Sequence, residues 1–289
     1  MKYVLKSCIV FLCILFSVIG CKKSSVDSNT ETKNLSVFLT DAPPPQFDSV
    51  FIDIRYVEVK VDADKEHKND DHFGDNDADN DDDHLHHDKY GDWDTLSIQP
   101  GVYNLMRFRN GVNMLLGTGN ITGKIRKIRI TLGSNNSVYI AGTQYPLSLR
   151  PDKNNYLYVK IHNEDKDEDN NNANIWLDFD LSRSLEEKNG QFYLNPVLKP
   201  FGKKNYGAVQ GQVFPFAARP VVIVYNVNDF QDATHGIPET DGKYDVEGLH
   251  PGTYHVEFHG FNGYRDTTLL NIVIQKGKKT ELPTITLVN

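Results

Sequence analysis

Five aspartates alternate along one stretch of the chain, and a cluster of histidines follows them directly. Carboxylates at alternate positions of a loop can turn toward one ion, and Ca²⁺ takes about six to eight oxygen ligands. Imidazoles favour a borderline transition metal such as Zn²⁺. The spacing lacks the central glycine and later glutamate of an EF-hand loop. The composition favours a solvated, self-repelling loop, and a weak Ca²⁺ or Zn²⁺ site formed by these residues is the alternative. The residues are Asp75, Asp77, Asp79, Asp81, Asp83, His84, His86 and His87.

A second acidic segment, residues 164–169, contains five acids and one lysine. Three asparagines at 170–172 follow it, and asparagine is common in turns and loops. The segment repeats the metal-binding argument in a weaker form. We expect it to be a plain solvated loop.

Two histidines and a carboxylate, His255, Glu257 and His259, alternate with apolar residues. The alternation places all three on one face of a predicted strand, where they could ligate a metal ion. Polar alternation is also typical of any solvent-exposed sheet face. We therefore expect an ordinary exposed face at this strand.

Sequence signals of catalysis are missing from this chain. There is no Gly-x-Ser-x-Gly, His-Glu-x-x-His, Walker A or dinucleotide-binding pattern. Paired acids occur only in the two acidic segments, where nothing would hold their separation. All three cysteines, Cys8, Cys13 and Cys21, lie in the first 21 residues, which excludes a cysteine nucleophile or a disulfide in the folded part. We expect a protein that is not an enzyme.

Two aromatic residues near the C-terminus could stack on a sugar. Phe261 and Tyr264 flank Asn262-Gly263, a dipeptide that is typical of a turn. Exposed aromatic rings on a loop form the usual platform for carbohydrate. The alternative is that Tyr264 packs within its hairpin and only Phe261 is exposed.

The first 20 residues have the composition of a signal peptide. Lys2 and Lys6 form a positive start, and the apolar stretch after them is too short for a permanent membrane helix. Its end, Val18-Ile19-Gly20-Cys21, resembles the lipobox of bacterial lipoproteins. The resemblance implies cleavage before Cys21 and lipidation of that residue, and several acyl chains anchor a protein stably. An ordinary secretory signal is the alternative. Residues 21–33 are polar and would form a lipidated tether.

The net charge of −8 is unevenly distributed over the 289 residues. Segment 62–94 holds fourteen acids against three lysines, and segment 164–169 adds a further net −4. The rest of the chain is therefore mildly basic, and we interpret 62–94 as an acidic insert. An acidic balance disfavours nucleic acid as the main partner. The length allows two domains, and 39% hydrophobic residues are enough for packed cores.

Outside the acidic segments the sequence predicts β-strands. Residues 50–61 alternate, with Val50, Ile52, Ile54 and Tyr56 inward, and the phase then changes to an inward Val57. Such a change predicts a β-bulge near Tyr56-Val57. Short helices are expected only at 105–109 or 182–188. The fold class is all-β, with two antiparallel, Greek-key-like β-sandwich domains. Further strands are predicted at 35–40, 127–132, 137–141, 144–149, 156–162 and 175–181.

Several short motifs in the first part of the chain resemble one family. Together they are similar to the lipoprotein domain catalogued as DUF4382, over residues 34–200. The function of that family is unknown, so the resemblance implies a β domain and its boundaries but no chemistry. The insert departs from the family pattern. The motifs are Leu39-Thr40-Asp41-Ala42-Pro43, Trp93-Asp94-Thr95-Leu96, Tyr103-Asn104-Leu105, Lys127-Ile128-Arg129-Ile130 and Leu177-Asp178-Phe179-Asp180.

Residues 207–289 resemble a different module. The run TDGKYDVEGLHPGTYHV at 240–256 is similar to the signature of carboxypeptidase-regulatory-like, prealbumin-like β-sandwich modules. Asp241-Gly242 predicts a tight turn, after which Tyr244 and Val246 alternate toward the core. These modules resemble starch-binding-like folds, some of which bind carbohydrate. The resemblance implies a carbohydrate-binding function only by analogy of fold.

These observations favour a non-catalytic lipoprotein of the bacterial cell envelope. Its membrane partner would be the outer membrane, and its ligand a glycan or an envelope protein. A lipoprotein that binds Ca²⁺ or Zn²⁺ through the acidic insert is one alternative. An unrecognised hydrolase is the other.

Overall fold

The computed structural model describes residues 32–41, 47–62, 93–150 and 152–289. These residues form a nearly all-β protein with 63% strand and 5% helix, which confirms the predicted fold class. Within the described ranges, no helix is both long and apolar enough to cross a membrane. The structure is best described as an N-terminal region up to residue 201 and a C-terminal region from residue 207.

The N-terminal region contains fifteen strands among its described residues and the C-terminal region eight. In the N-terminal region they are β1 (Thr32–Asp41), β2 (Ser49–Asp62), β3 (Trp93–Thr95), β4 (Ser97–Ile98), β5 (Gly101–Asn104), β6 (Met114–Thr122), β7 (Lys124–Leu132), β8 (Ser137–Ile140), β9 (Thr143–Leu149), β10 (Tyr156–Lys160), β11 (Lys166–Asp169), β12 (Asn172–Phe179), β13 (Leu185–Lys188), β14 (Gln191–Leu194) and β15 (Leu198–Phe201). In the C-terminal region they are β16 (Gly207–Phe214), β17 (Val221–Asn226), β18 (Asp229–Gly236), β19 (Lys243–Leu249), β20 (Gly252–His259), β21 (Thr267–Ile274), β22 (Lys279–Glu281) and β23 (Ile285–Thr286).

Two sheets enclose the first core. One has the order β11-β12-β1-β6-β4, with β15 also on β12, and the other has the order β10-β7-β2-β8-β9-β14-β13, with β3 and β5 on β2. The core between them is formed by the inward positions of each strand, such as Val37 of β1, Val59 of β2 and Ile175 of β12, all fully buried. Because side chains alternate along a strand, the opposite positions face outward.

The predicted bulge in β2 is present, but it begins before Tyr56. The pairing of β2 with β7 shifts between Ile54 and Tyr56. Tyr56 therefore points outward and is 58% exposed, which corrects the expectation that it lies inside. Asp53 lies between two inward positions, so the alternation places it outward, but it is fully buried and forms an ion pair with Arg55 at 2.7 Å. The extra residue of a bulge changes the side of the sheet to which the neighbouring side chains point. Sequence alternation shows that a bulge is present but not at which residue it lies.

The second core lies between two sheets of the C-terminal region. Their orders are β19-β16-β22, with β23 also on β16, and β18-β17-β20-β21. Tyr244, Val246 and Phe258 are buried here, as the alternation predicts. Gly242 makes the predicted turn with a φ of +82°, and a Cβ at this position would lie 2.7 Å from the Val213 carbonyl oxygen.

Four pairings among the described strands are parallel, which differs from the purely antiparallel expectation. They are β1 with β12, β9 with β14, and β16 with both β22 and β23. The paired strands are far apart in sequence, so no hairpin turn sets their relative direction. Sequence patterns report which side of a strand is buried but not the direction of its partner.

The two predicted short helices are present in shortened form. A 3-10 helix spans Leu105–Arg107, and its N-cap Asn104 accepts a hydrogen bond from the Met106 amide at 3.2 Å. Helix α1 spans Leu181–Ser184 behind Asp180, whose side chain accepts from the Arg183 amide. The chain then continues as β13, so the second predicted helix ends at Ser184.

Candidate functional site

Polar contacts join the two regions along one side of the second core. Arg109 donates to both carboxylate oxygens of Glu239, at 3.0 and 3.2 Å. The Asn110 amide donates to the Ile237 carbonyl at 2.9 Å and accepts from the Asp245 amide at 3.3 Å. These hydrogen bonds hold the loop after the 3-10 helix against β19 and the segment before it. We call this contact the junction.

Two loops of the C-terminal region place Phe216 and Phe261 at one rim of a cleft. Phe216 starts a 3-10 turn between β16 and β17, and Phe261 follows β20. The loops are tied together, because the Phe261 amide donates to the Ala218 carbonyl and the Asn262 side chain donates to the Ala217 carbonyl, both at 2.8 Å. The rings of Phe216 and Phe261 are 49% and 40% exposed. Large apolar rings exposed together on one rim are typical of a contact surface.

The cleft lies between the two regions, next to the junction, and has a volume of about 500 Å³. This size is in the range of small-molecule sites. Among the described residues its apolar lining comes from both regions: Phe47 and Met106 on one side, and Phe216, Ile237 and Phe261 on the other. Neither region alone forms the cleft.

Three charged side chains border this apolar surface. Arg219 is exposed, and its guanidinium has no carboxylate partner among the described residues. Arg109 is paired with Glu239, and that hydrogen bond lowers the pKa of the Glu239 carboxyl. Asp48 accepts from the Gly142 amide at 2.9 Å. The arrangement offers apolar faces beside one unpaired cation, which suits binding of a ligand with apolar faces and polar or anionic groups.

The structure places the two predicted carbohydrate-binding residues in different surroundings. Phe261 lines the cleft. Tyr264 is partly buried and packs against the second core. Sequence reasoning missed Phe216, because its partnership with Phe261 joins two loops and depends on the fold. A binding role for Phe261 and Tyr264 stays a prediction.

Glu257 and His259 lie close to an acid that sequence reasoning missed, Asp266. The ligand atoms of these three residues lie within 4.8 Å of one another. Asp266 Oδ1 accepts from the Gly260 amide at 2.9 Å, which lowers the pKa of the Asp266 carboxyl, and Oδ2 contacts the His259 Nδ1 at 2.9 Å. The acid therefore closes the turn between β20 and β21. His255 is not part of this group, since its Nδ1 accepts from the Asn271 amide.

The second acidic segment is not the plain loop that we expected. Residues Lys166–Asp169 form β11, and Asp165 and Asp167 are buried. The Tyr206 hydroxyl donates to Asp165 at 2.5 Å, and the Lys204 amide donates to Asp167 at 2.9 Å. The carboxylates hold the segment that connects the two regions. A segment of alternate acids followed by asparagines has the composition of a loop. Here, however, the buried carboxylate oxygens accept hydrogen bonds from other parts of the fold.

A buried polar cluster lies at the junction. Asp178, His235 and Asp245 border a cavity of about 20 Å³, which is room for one water molecule. Burial raises the pKa of the Asp178 carboxyl to about 7, with the neighbouring Asp180 adding to the effect. Burial lowers the pKa of His235, whose Nδ1 has no hydrogen-bond partner in the described part of the chain. Sequence reasoning missed this cluster.

The predicted metal ligands and the predicted lipidation residue lie outside the described residues. These are Cys21 and the set Asp75, Asp77, Asp79, Asp81, Asp83, His84, His86 and His87. The metal site and the anchor both stay predictions.

The fold and the cleft define an all-β protein of two packed regions with an apolar, arginine-bordered site between them. Residues 32–196, more than half of the chain, match the family described as Domain of unknown function (DUF4382). The chain belongs to this family, which confirms the resemblance of its first part. The resemblance of residues 207–289 to carboxypeptidase-regulatory-like modules stays a prediction. No curated protein matches the sequence.

Three solved structures with detectable similarity are distant from this chain. A type II cohesin–X–dockerin complex of Acetivibrio cellulolyticus is 19% identical, with 28% of this chain and 56% of that chain covered and a TM-score of 0.23. A minor pilin of Streptococcus agalactiae is 12% identical, with 89% and 97% covered and a TM-score of 0.22. A fimbrial protein from Bacteroides ovatus is 9% identical, with 89% and 50% covered and a TM-score of 0.23. The chain thus spans about half the length of the first and third. Similarity at this level assigns no ligand or partner to this protein.

Proposed function

We propose that this protein is a lipid-anchored, non-catalytic binding protein of the bacterial cell envelope, and that its cleft binds a glycan. In this proposal Cys21 carries the lipid at the outer membrane, and residues 21–33 are the tether. Residues 34–200 and 207–289 are then two domains that share the cleft. The observation that carries the proposal is the pair of exposed rings, Phe216 and Phe261, beside the unpaired Arg219.

The chemistry of the lining favours a sugar ligand. Apolar ring faces stack on the C–H face of a pyranose, and a guanidinium donates up to five hydrogen bonds to hydroxyl or carboxylate oxygens. The described lining contains a single carboxylate, Asp48, whereas glycoside hydrolysis uses two. The cleft therefore supports binding rather than hydrolysis.

The proposal is tested with a glycan array on the mature protein, followed by calorimetry with the best ligand. Phe216→Ala and Phe261→Ala should each weaken binding about tenfold, the equivalent of ~1.4 kcal/mol, since a stacked phenylalanine contributes about that much. Leu270→Ala is the matched control, because Leu270 is exposed in the same region but away from the cleft. Unchanged affinity in both phenylalanine variants would refute a glycan site in the cleft. A protein found to occupy the cleft instead of any glycan would refute it as well.

The anchor is tested separately. Cys21→Ser removes the thiol that would carry the lipid, so the variant should move from the detergent phase to the aqueous phase in a partitioning assay. If partitioning is the same with and without the substitution, the protein is not anchored through Cys21.

A further inference from the structure

One outer face of the nine-stranded sheet is lined with aromatic and basic side chains, none of which lines the cleft. The pairing register of strands β2, β7 and β10 places these side chains next to one another. Tyr158 of β10 pairs with Arg129 of β7, and Arg129 pairs with Glu58 of β2. Two residues further along the strands, three lysines form the next row. Side chains two residues apart share a face, so both rows point to the same side of the sheet.

Three aromatic rings are assembled on this face. Trp93 starts β3, at the other edge of β2, yet its ring lies 5.6 Å from that of Tyr158. Tyr156 lies 5.2 Å from Tyr158. Arg129 sits beneath them, 4.4 Å from the Trp93 ring centroid and 5.9 Å from that of Tyr156. Tyr158 is 44% exposed. The rings form an open platform on the sheet.

The guanidinium under the platform is held in place. Glu58 accepts two hydrogen bonds from Arg129, both at 2.7 Å. This bidentate ion pair fixes the plane of the guanidinium, against which the Trp93 ring packs. It also neutralises the charge of Arg129, so the basic character of the face comes from other residues.

That character comes from the row of three lysines. Lys60 pairs with Lys127, and Lys127 pairs with Lys160 on the next strand. Adjacent strands are ~4.8 Å apart, so the row spans about 10 Å. Like charges directly opposite one another destabilise a sheet. Lys160 has no carboxylate partner among the described residues, and Lys127 lies 5.9 Å from the ring of Tyr158.

We propose that this aromatic–lysine face (Trp93, Tyr156, Tyr158, Lys60, Lys127 and Lys160) binds an acidic polysaccharide whose sugars carry carboxylate groups. Sugar rings stack on the platform, and carboxylates from successive sugars meet the lysine row. A flat, open face suits an extended polymer, and the lysine row complements a regularly repeated negative charge. Single-stranded nucleic acid also combines stacking with charge, and its tighter binding is one of the outcomes that the test distinguishes. This site is independent of the cleft and goes beyond the function proposed above.

The test is calorimetry of the mature protein with polygalacturonate, at ~0.15 M ionic strength. EDTA is present, so that no cation bridges the polymer to acidic side chains. Polygalacturonate should bind and neutral dextran should not. Replacing Lys60, Lys127 and Lys160 together by Gln should weaken binding at least tenfold, and Tyr158→Ala several-fold. In a Trp176→Phe background the single remaining tryptophan, Trp93, should change its fluorescence on binding.

The matched control replaces Lys153, Lys188 and Lys276 by Gln, which changes the net charge equally at exposed positions elsewhere. It should bind as the parent does, and so should Phe261→Ala in the cleft. The proposal is overturned if polygalacturonate does not bind, if both lysine triples weaken it equally, or if neutral dextran binds as well. Tighter binding of single-stranded DNA would overturn it in favour of a nucleic-acid site. Loss of binding in Phe261→Ala would place the polymer in the cleft instead.

Discussion

The cleft and the aromatic–lysine face are two ways of presenting aromatic rings on one β protein. The cleft is concave and apolar, and it exists only where the two regions meet, with Met106 on one side and Phe216 on the other. The aromatic–lysine face is flat and basic, and one sheet builds all of it. Strand register alone places Lys60, Lys127 and Lys160 in a row.

The difference shows which forces each surface depends on. Backbone hydrogen bonds and the first core hold the aromatic–lysine face, since the residues between its outward positions are buried, as Ile128 and Val59 are. The cleft depends in addition on a small number of polar contacts at the junction, such as those of Arg109 and Asn110. A change that loosens the junction should therefore affect the cleft alone.

The largest expected effect comes from damage to the second core. Phe258 is fully buried, with its ring 5.7 Å from that of Tyr244. Phe258→Ala should cost about 3–5 kcal/mol of unfolding free energy and abolish glycan binding in the cleft. Both tryptophans, Trp93 and Trp176, lie in the N-terminal region, so fluorescence follows that region while circular dichroism follows the whole chain.

In Phe258→Ala the unfolding transition detected by fluorescence should stay unchanged, and polygalacturonate should still bind. Leu270→Ala, at an exposed position, is the control and should change neither the unfolding transitions nor the binding. If the fluorescence transition falls as far as the dichroism transition, the two cores are one cooperative unit and the comparison fails.

The next effect depends on pH and concerns the buried acid of the junction. Burial raises the pKa of Asp178 to about 7, whereas a carboxyl in an unfolded chain titrates near ~3.9. As pH rises from about 4 to about 7, the unfolded chain loses this proton while the folded chain keeps it, so the contribution of Asp178 to stability falls over that window. Asp178→Asn cannot ionise and should be more stable than the parent at pH ~8, by on the order of 2–4 kcal/mol, but equal to it at pH ~4.

Urea unfolding at several pH values between ~4 and ~8 gives the unfolding free energies of parent and variant. Their difference isolates the contribution of Asp178, because the other carboxyl groups are common to both proteins. Asp94→Asn, at an exposed strand position, is the control and should show no such trend. A parent–variant difference that does not change with pH would mean that Asp178 is already ionised in the folded protein.

A smaller effect is expected from the hydrogen bonds at the junction. Asn110 has a φ of +54°, so Asn110→Gly keeps the backbone conformation but removes the amide that bonds Ile237 and Asp245. Leaving these groups unpaired should cost about 1–3 kcal/mol and weaken glycan binding without changing polygalacturonate binding. Asn189→Gly is matched to it, because Asn189 has a φ of +53° in an exposed turn. Equal loss of both ligands in Asn110→Gly would show that the surfaces are coupled.

The smallest effect on stability should come from the acidic insert. Deleting residues 64–90 should change the unfolding free energy by less than ~0.5 kcal/mol, because the sequence predicts a polar, acidic insert there that contributes no core residues. Calorimetry should detect Ca²⁺ or Zn²⁺ binding in the intact protein and not in the deletion. Zinc affinity should fall as the pH is lowered toward ~6, since His84, His86 and His87 must be neutral to ligate. Equal metal binding with and without the segment would end the metal hypothesis, and unfolding on deletion would make the segment structural.

Sequence patterns were sufficient for much of the fold. The all-β class, the bulge in β2 and the turn at Asp241-Gly242 all followed from local alternation and turn chemistry. They could be predicted because each depends on residues close together in the chain. The parallel pairing of β1 with β12 could not, since the two strands are more than 130 residues apart. The sites were harder to predict than the fold, and only Phe261 of the two predicted carbohydrate-binding residues lines the cleft.

The sequence by itself therefore determined the secondary structure and the family, because side-chain periodicity and short motifs are local properties. Tertiary structure decided which outward-facing side chains meet. Lys60, Lys127 and Lys160 each occupy an ordinary exposed position, and only strand register makes them a row. Asp178 alternates on β12 like a surface residue, yet it is buried beside Thr234 and His235 of the C-terminal region, and burial raises its pKa. Burial and charge at such positions come from partners distant in sequence, on which local periodicity carries no information.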